Sequence, residues 1–177
     1  SDGSVSVAAS NGHVYSDTAM GSYTWGTLDS VSYATTSTTY TWTPPGTVTG
    51  ADVLMVAGGG GGSDSNGGGG GAGGLVYKAS QNLSGAKTIV VGAGGTKGVS
   101  WHDSGTFAEQ GKNTSFTGLE TAIGGGSATQ YTNYPDSGTR RNGGSGGGAA
   151  GSSDNNLDSG GTGTSGQGNA GGGGKRY

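Results

Sequence analysis

Val53-Leu54-Met55-Val56-Ala57 runs without a break into Gly58-Gly59-Gly60-Gly61-Gly62, then Ser63-Asp64-Ser65-Asn66, then Gly67-Gly68-Gly69-Gly70-Gly71. The apolar run from Asp52 is bounded by Pro44-Pro45-Gly46 upstream and by polyglycine downstream. That is too short for a helix, so it reads as a buried strand. The two glycine runs have equal length, and the polar tetrapeptide between them carries turn chemistry. Together they predict an antiparallel pair of extended glycine segments, anchored by a strand.

Working outward, the same alternation of anchor and glycine recurs. Leu75-Val76-Tyr77 reads as a strand, as does Thr88-Ile89-Val90-Val91, which leads into Gly92-Ala93-Gly94-Gly95. Thr114-Ser115-Phe116-Thr117 and Leu119 to Ile123 read as two weaker strands before Gly124-Gly125-Gly126. The tail from Gly143 ends in Gly171-Gly172-Gly173-Gly174 and has Leu157 as its only large apolar residue. Upstream, residues 1–50 are rich in Ser, Thr, Val and Tyr. Period-two stretches such as Ser4-Val5-Ser6-Val7 and Thr39-Tyr40-Thr41-Trp42-Thr43 predict half-buried strands there. The expected division is an N-terminal β segment over 1–50 and a glycine-rich domain over 51–177. No window shows sustained 3.6-residue apolar spacing, so no long helix is expected.

Glycine supplies 45 of the 177 residues, while 28% are apolar and 11% charged. Glycine-rich chains are ordinarily disordered. This one departs from that pattern through its few charges, its 8 Tyr and 3 Trp, and its repeated apolar anchors. Polyglycine can take an extended helix of about three residues per turn that makes no internal hydrogen bonds. Its N–H and C=O groups point outward and need partners. Side by side, such helices bond to one another through backbone, provided no Cβ holds them apart. A packed bundle therefore predicts that a Cβ at Gly60 or Gly69 is destabilising and that changes at Ser63 or Ser65 are nearly silent. The fold class expected is mainly β: a β-sandwich-like frame carrying packed polyglycine-II helices.

The net charge of −3 and the absence of a basic stripe argue against nucleic acid. No apolar stretch approaches a membrane span. There is no Cys, which excludes disulfides and thiolate metal sites. The first residue is not Met, and no signal peptide is visible. A processed, trimmed or fragmentary chain is the expectation.

Thr41-Trp42-Thr43-Pro44-Pro45-Gly46 followed by Val53 to Gly58 resembles the entry to the glycine-rich domain of bacteriophage tail-fibre and adhesin proteins. The likeness continues through Gly73-Gly74-Leu75-Val76-Tyr77, then Leu83 to Gly95, then Gly111-Lys112-Asn113-Thr114-Ser115-Phe116, and Gly124-Gly125-Gly126. It covers about residues 39–128, with the tail agreeing in texture. The resemblance implies a virion or extracellular setting. It also implies a non-enzymatic fibre or tip component that presents loops to the host. Its partners would be other virion subunits, within a homo-oligomer or larger assembly, and a host-cell surface component. The alternative is a purely structural surface-decoration or filament subunit. An ice-binding bundle is a third reading, opposed by the irregular glycine runs.

Sequence patterns that hint at catalysis or ligands are weak. Gly92, Gly94 and Gly98 after a strand suggest a dinucleotide loop, but Val99 to Gly105 is no helix start. Gly143-Gly144-Ser145-Gly146-Gly147 matches a nucleophile elbow without the apolar strand before it. His13 and His102 have no metal-ligand spacing, and Asp154 to Asp158 lacks the Gly and Glu of a calcium loop. No catalytic, cofactor or metal residue is expected. The remaining candidates are aromatic. Trp101, Phe107, Tyr131 and Tyr134 fall in two glycine-poor stretches, 96–110 and 127–142. Such side chains offer large rigid contact area with a polar handle. Trp101, Tyr131 and Tyr134 are the expected contact residues, the alternative being that they cap the bundle ends.

Overall fold

A computed structural model describes residues 6–8, 13–15, 36–44, 50–64, 67–99, 107–129, 139–151 and 159–175. It is built from strands, with no helix among the described residues. Among the described residues no helix is long and apolar enough to cross a membrane. Strands β1 (Ser6–Ala8) and β2 (His13–Tyr15) form an antiparallel pair. Strands β3 (Thr38–Trp42), β6 (Lys87–Val91) and β7 (Ser115–Phe116) form a three-stranded sheet in the order β3-β6-β7. Strands β4 (Ala51–Val56) and β5 (Leu75–Gln81) form a two-stranded one. β3 pairs with β6 along its whole length, from Thr38 opposite Val91 to Trp42 opposite Lys87.

One apolar cluster joins the two sheets. Met55 of β4 and Val76 of β5 are register partners and both are buried. They pack with Leu83, Phe116 and Ala122, flanked by Trp42, Ile89 and Leu119. Trp42 meets Phe116 edge-on, with ring centroids 6.3 Å apart, an arrangement that suits the ring quadrupoles. Leu119 to Ile123 does not continue as a strand. Gly118, at φ 85°, turns the chain after β7, and only an isolated bridge from Thr114 to Ala122 follows.

The glycine segments are neither strands nor isolated loops. The amides of Ala57, Gly60 and Ser63 donate to the carbonyls of Gly74, Gly71 and Gly68, at 3.1, 2.8 and 3.2 Å. The two runs of the opening stretch thus pair antiparallel, with a bonding period of three. Residues between those donors serve other neighbours. Gly58 and Gly61 donate to Lys112 and Glu109, and accept from Gly125 and Ala128, while Gly59 and Gly62 accept from Gly95 and Gly98. Segment 57–63 is therefore bonded to four others, whereas a β-strand bonds to at most two, with a period of two. The tail enters the same lattice: Ser145 and Gly148 donate to Ala72 and Gly69, and Gly146 and Ala149 donate to Asn169 and Gly172.

Close approach depends on missing side chains, though not at every glycine. A Cβ on Gly60 would lie 2.0 Å from the Gly126 oxygen, and one on Gly124 would lie 1.9 Å from that of Gly111. Gly69 differs from the sequence expectation. It is exposed, and a Cβ there would meet nothing within 4 Å. The period of three turns successive glycines in different directions, and position 69 faces away from every neighbour.

Two further expectations are corrected. Ser127, Ala128 and Thr129, read as part of a glycine-poor loop, are 1%, 5% and 0% exposed and lie within the bonded segments. The apolar run of β4 is buried on one face only, since Leu54 and Val56 are 62% and 54% exposed.

Candidate contact surface

The hydrogen bonds fix the axial order of the segments. Ala57, Gly74 and Ile123 lie level with one another next to the strands, whereas Ser63, Gly68, Thr129 and Gly148 lie level at the far end. Gly98 is level with Gly62, and Glu109 with Thr96 and Gly61. The described segments that end at 64, 99, 129 and 151, and those that begin at 67, 107, 139 and 159, therefore have these ends on the side remote from β4 and β5. The expected contact residues Trp101, Tyr131 and Tyr134 lie outside the described residues. So do His102 and residues 154–158.

What the structure does show is how the bases of the two aromatic stretches are tied. Phe107 closes the first and Arg140 the second. The Arg140 guanidinium carbon stands 5.2 Å from the Phe107 ring centroid, a cation–π contact. Gln110 spans the same seam, its Nε2 donating to the carbonyls of Asn142 at 2.6 Å and Thr139 at 3.4 Å. The Arg140 carbonyl accepts from both the amide and the Oγ of Ser127, at 2.9 and 3.0 Å. Thr129 Oγ1 accepts from the Ala150 amide, which joins the second stretch to the tail. Arg141 Nη1 donates to the Ser159 carbonyl at 2.6 Å. Phe107 was visible as an aromatic in the sequence, but nothing in the pattern pointed to Arg140 as its partner.

Two polar clusters at the opposite end also escaped the sequence reading. Asp52 accepts from Tyr77 Oη at 2.6 Å and from the Ser80 amide at 2.9 Å. These bonds, that of Tyr77 first, hold the Asp52 carboxyl below its ordinary range, and the same bond to Asp52 raises the Tyr77 phenol. Ser80 sits at φ 52°, the one described non-glycine residue in the left-handed region, where the β4–β5 register shifts between Ala51 and Val53. In the second cluster, Lys78 donates to Glu120 at 2.7 Å, and Gln167 Nε2 reaches Glu120 at 3.1 Å and the Thr121 carbonyl at 2.9 Å. Hydrogen bonds from Lys78 and then Gln167 lower the Glu120 carboxyl.

Several residues with catalytic-looking spacing have their amides engaged in the lattice. Gly92 donates to Thr114 Oγ1 and Gly98 to the carbonyl of Gly62. In the elbow-like stretch, Gly143 and Ser145 donate to Thr162 and Ala72. Among the described residues no group of three or more His, Asp or Glu could hold a metal ion.

Comparison with known proteins found no match among curated sequences and none among solved structures. The family model described as "Glycine-rich domain" matches residues 35–177, which is most of the chain and contains every bonded glycine segment and strands β3 to β7. The chain belongs to the glycine-rich domain family.

Proposed function

We propose that this chain is a non-enzymatic structural and adhesive component of a phage particle, a fibre or tip protein that presents loops to the host. The bonded glycine segments are read as polyglycine-II helices, in keeping with their period of three and multiple bonded neighbours. The two sheets around Met55 and Phe116 are read as a small sandwich-like frame. The carrying observation is that the described residues flanking the two aromatic stretches lie at one end of the glycine lattice, remote from the strands, and are fastened to each other by Phe107, Arg140 and Gln110. A lattice of backbone is stiff and offers little side-chain chemistry, so recognition falls to what it holds out. The resemblance of residues 39–128 to phage tail-fibre and adhesin domains supplies the virion setting.

The test is to replace Trp101, Tyr131 and Tyr134 together with Ala, then measure particle attachment and melting temperature. Lost attachment with unchanged melting is the expected result. Unchanged attachment with a large loss in melting would make these aromatics caps of the fold. It would favour the purely structural reading, a surface-decoration or filament subunit.

A further inference from the structure

The bonding partners set the glycine segments in two layers. Segment 57–63 bonds to 92–98 and 67–74 beside it, and to 107–113 and 123–129 beneath it. Segment 123–129 bonds in turn to 107–113 and 143–150 beside it. With about three residues per turn, each segment aims its amides in three directions. In 123–129, Gly125 and Ala128 donate to the upper layer, and Gly126 and Thr129 donate sideways. The third direction leads out of the lattice, and there Asn113 Oδ1 accepts from Gly124 and the Arg140 carbonyl from Ser127. In 57–63, Gly58 and Gly61 donate downward, and Gly60 and Ser63 donate sideways. The third-direction amides, those of Gly59 and Gly62, have no acceptor among the described residues. Next to them Gly70 and Gly73 use neither amide nor carbonyl. Gly59 and Gly70 are exposed, whereas Gly124 to Thr129 are buried throughout. One face of the slab is closed by its own chain and the other is open.

We infer that the open face is an interface between two copies of this chain, which joins their slabs into one lattice of four layers. Three observations select a second copy. First, the free groups recur every three residues, a spacing of roughly 9 Å, whereas a β-strand repeats every two. Only a surface with the same period and no intervening Cβ matches them, and this face is such a surface. Second, it carries both kinds of partner, amides at Gly59, Gly62, Gly70 and Gly73 and carbonyls at Gly70 and Gly73, so it is self-complementary, as a two-fold interface requires. The lattice already holds both chain senses, since 123–129 runs parallel to 57–63 and 67–74 runs antiparallel to it, and neither orientation of the second copy is excluded. Third, the face is not protected against pairing. Open backbone edges are ordinarily blunted by charge, yet 56–62 and 69–76 contain no charged residue. Val56, three residues before Gly59, and its register partner Leu75 extend these segments with apolar side chains that are 54% and 48% exposed. Apolar side chains beside unbonded backbone suit a protein partner better than water. The inference rests on the broad face of the slab and stands apart from the contact role proposed for its end.

The test is sedimentation equilibrium of the full chain beside Gly59→Lys/Gly62→Lys. A Cβ at these two positions meets nothing closer than 3.6 and 4.0 Å, so the variant keeps its own fold while its side chains hold a second slab away. The unaltered chain should dimerise and the variant should stay monomeric, with the same circular dichroism spectrum. Amide exchange read by NMR supplies the second measurement. The amides of Gly59, Gly62, Gly70 and Gly73 should exchange several-fold more slowly in the concentrated unaltered chain than on dilution below the dimer range. A chain that is monomeric at every concentration, with those amides exchanging at full rate, would overturn the inference and leave water as their partner. A dimer that survives in the lysine variant would overturn it too, by placing the interface on another surface.

Discussion

The carbonyl oxygen of Gly126 accepts the amide of Gly71 at 2.8 Å and stands 2.0 Å from the point that a Cβ on Gly60 would occupy. Three segments meet at that oxygen, and the hydrogen bond and the missing side chain are one arrangement. An atom inserted at Gly60 must push 57–63 away from 123–129, which also pulls Gly125 from its bond to Gly58.

Gly60→Val should accordingly destabilise by more than about 2 kcal/mol, combining overpacking with lost backbone pairing. Gly69→Ala should be neutral within about 0.5 kcal/mol or slightly stabilising, because it removes chain entropy from the unfolded state where the fold has room. Ser63→Ala should also be mild, since the Ser63 hydroxyl is buried without a hydrogen-bond partner among the described residues. Denaturant melts of the three variants check this. Equal losses at Gly60 and Gly69 would mean that direction within the lattice is irrelevant.

Thr129 offers a test of the lattice interior. Its side chain is fully buried, and its Oγ1 accepts the Ala150 amide. Thr129→Val keeps the shape and orphans that amide, at an expected cost of about 1–3 kcal/mol. Thr129→Ser keeps the acceptor and should cost less. A valine variant as stable as the serine variant would remove the hydrogen bond from the account.

Gln167 fastens the tail to the frame. Its Oε1 accepts from the Ile123 amide at 2.9 Å, its Nε2 serves Glu120 and Thr121, and its carbonyl accepts from Leu75. The turn that places it uses Gly166 at φ 76°. Gln167→Ala should destabilise by about 1–3 kcal/mol, since the part-buried Ile123 amide loses its partner. Hydrogen exchange at Ile123 should quicken more than exchange at Gly71, which bonds elsewhere.

Asp52 and Tyr77 predict how stability depends on pH. The Asp52 carboxyl is held below its unfolded value, so its contribution is complete above that value and is lost as pH falls through the folded one. Tyr77 is raised, so its contribution is complete below the unfolded phenol value and is lost as pH rises through the folded one. Glu120, lowered by Lys78 and Gln167, adds a second loss on the acid side. Melting temperatures of the unaltered chain and of Asp52→Asn should differ most near neutrality and converge toward both extremes. Both groups are exposed, so the difference should be small. Parallel curves would detach the pair from stability.

Local pattern carried much of this fold. Alternation and β-branched residues marked β3, β5 and β6, and the matched runs around Ser63 to Asn66 marked an antiparallel pair of glycine segments. These features are set within a few residues of chain. The same reasoning extended Leu119 to Ile123 as a strand, because it did not weigh Gly118 as a left-handed turn position. It also read 127–129 as loop, because small polar residues carry no mark of burial when their neighbours are backbone.

The sequence by itself determined that this chain is mainly β, lacks helices in its described parts, and alternates apolar anchors with glycine. Tertiary structure alone decided which glycines have no room for a side chain and which apolar side chains are covered. Gly60 and Gly69 are identical in composition and context, yet one meets the Gly126 oxygen and the other meets solvent. The reason is that glycine encodes permission for close approach without encoding a direction. Direction comes from the segments that happen to lie alongside, and those are brought together from positions far apart in the chain.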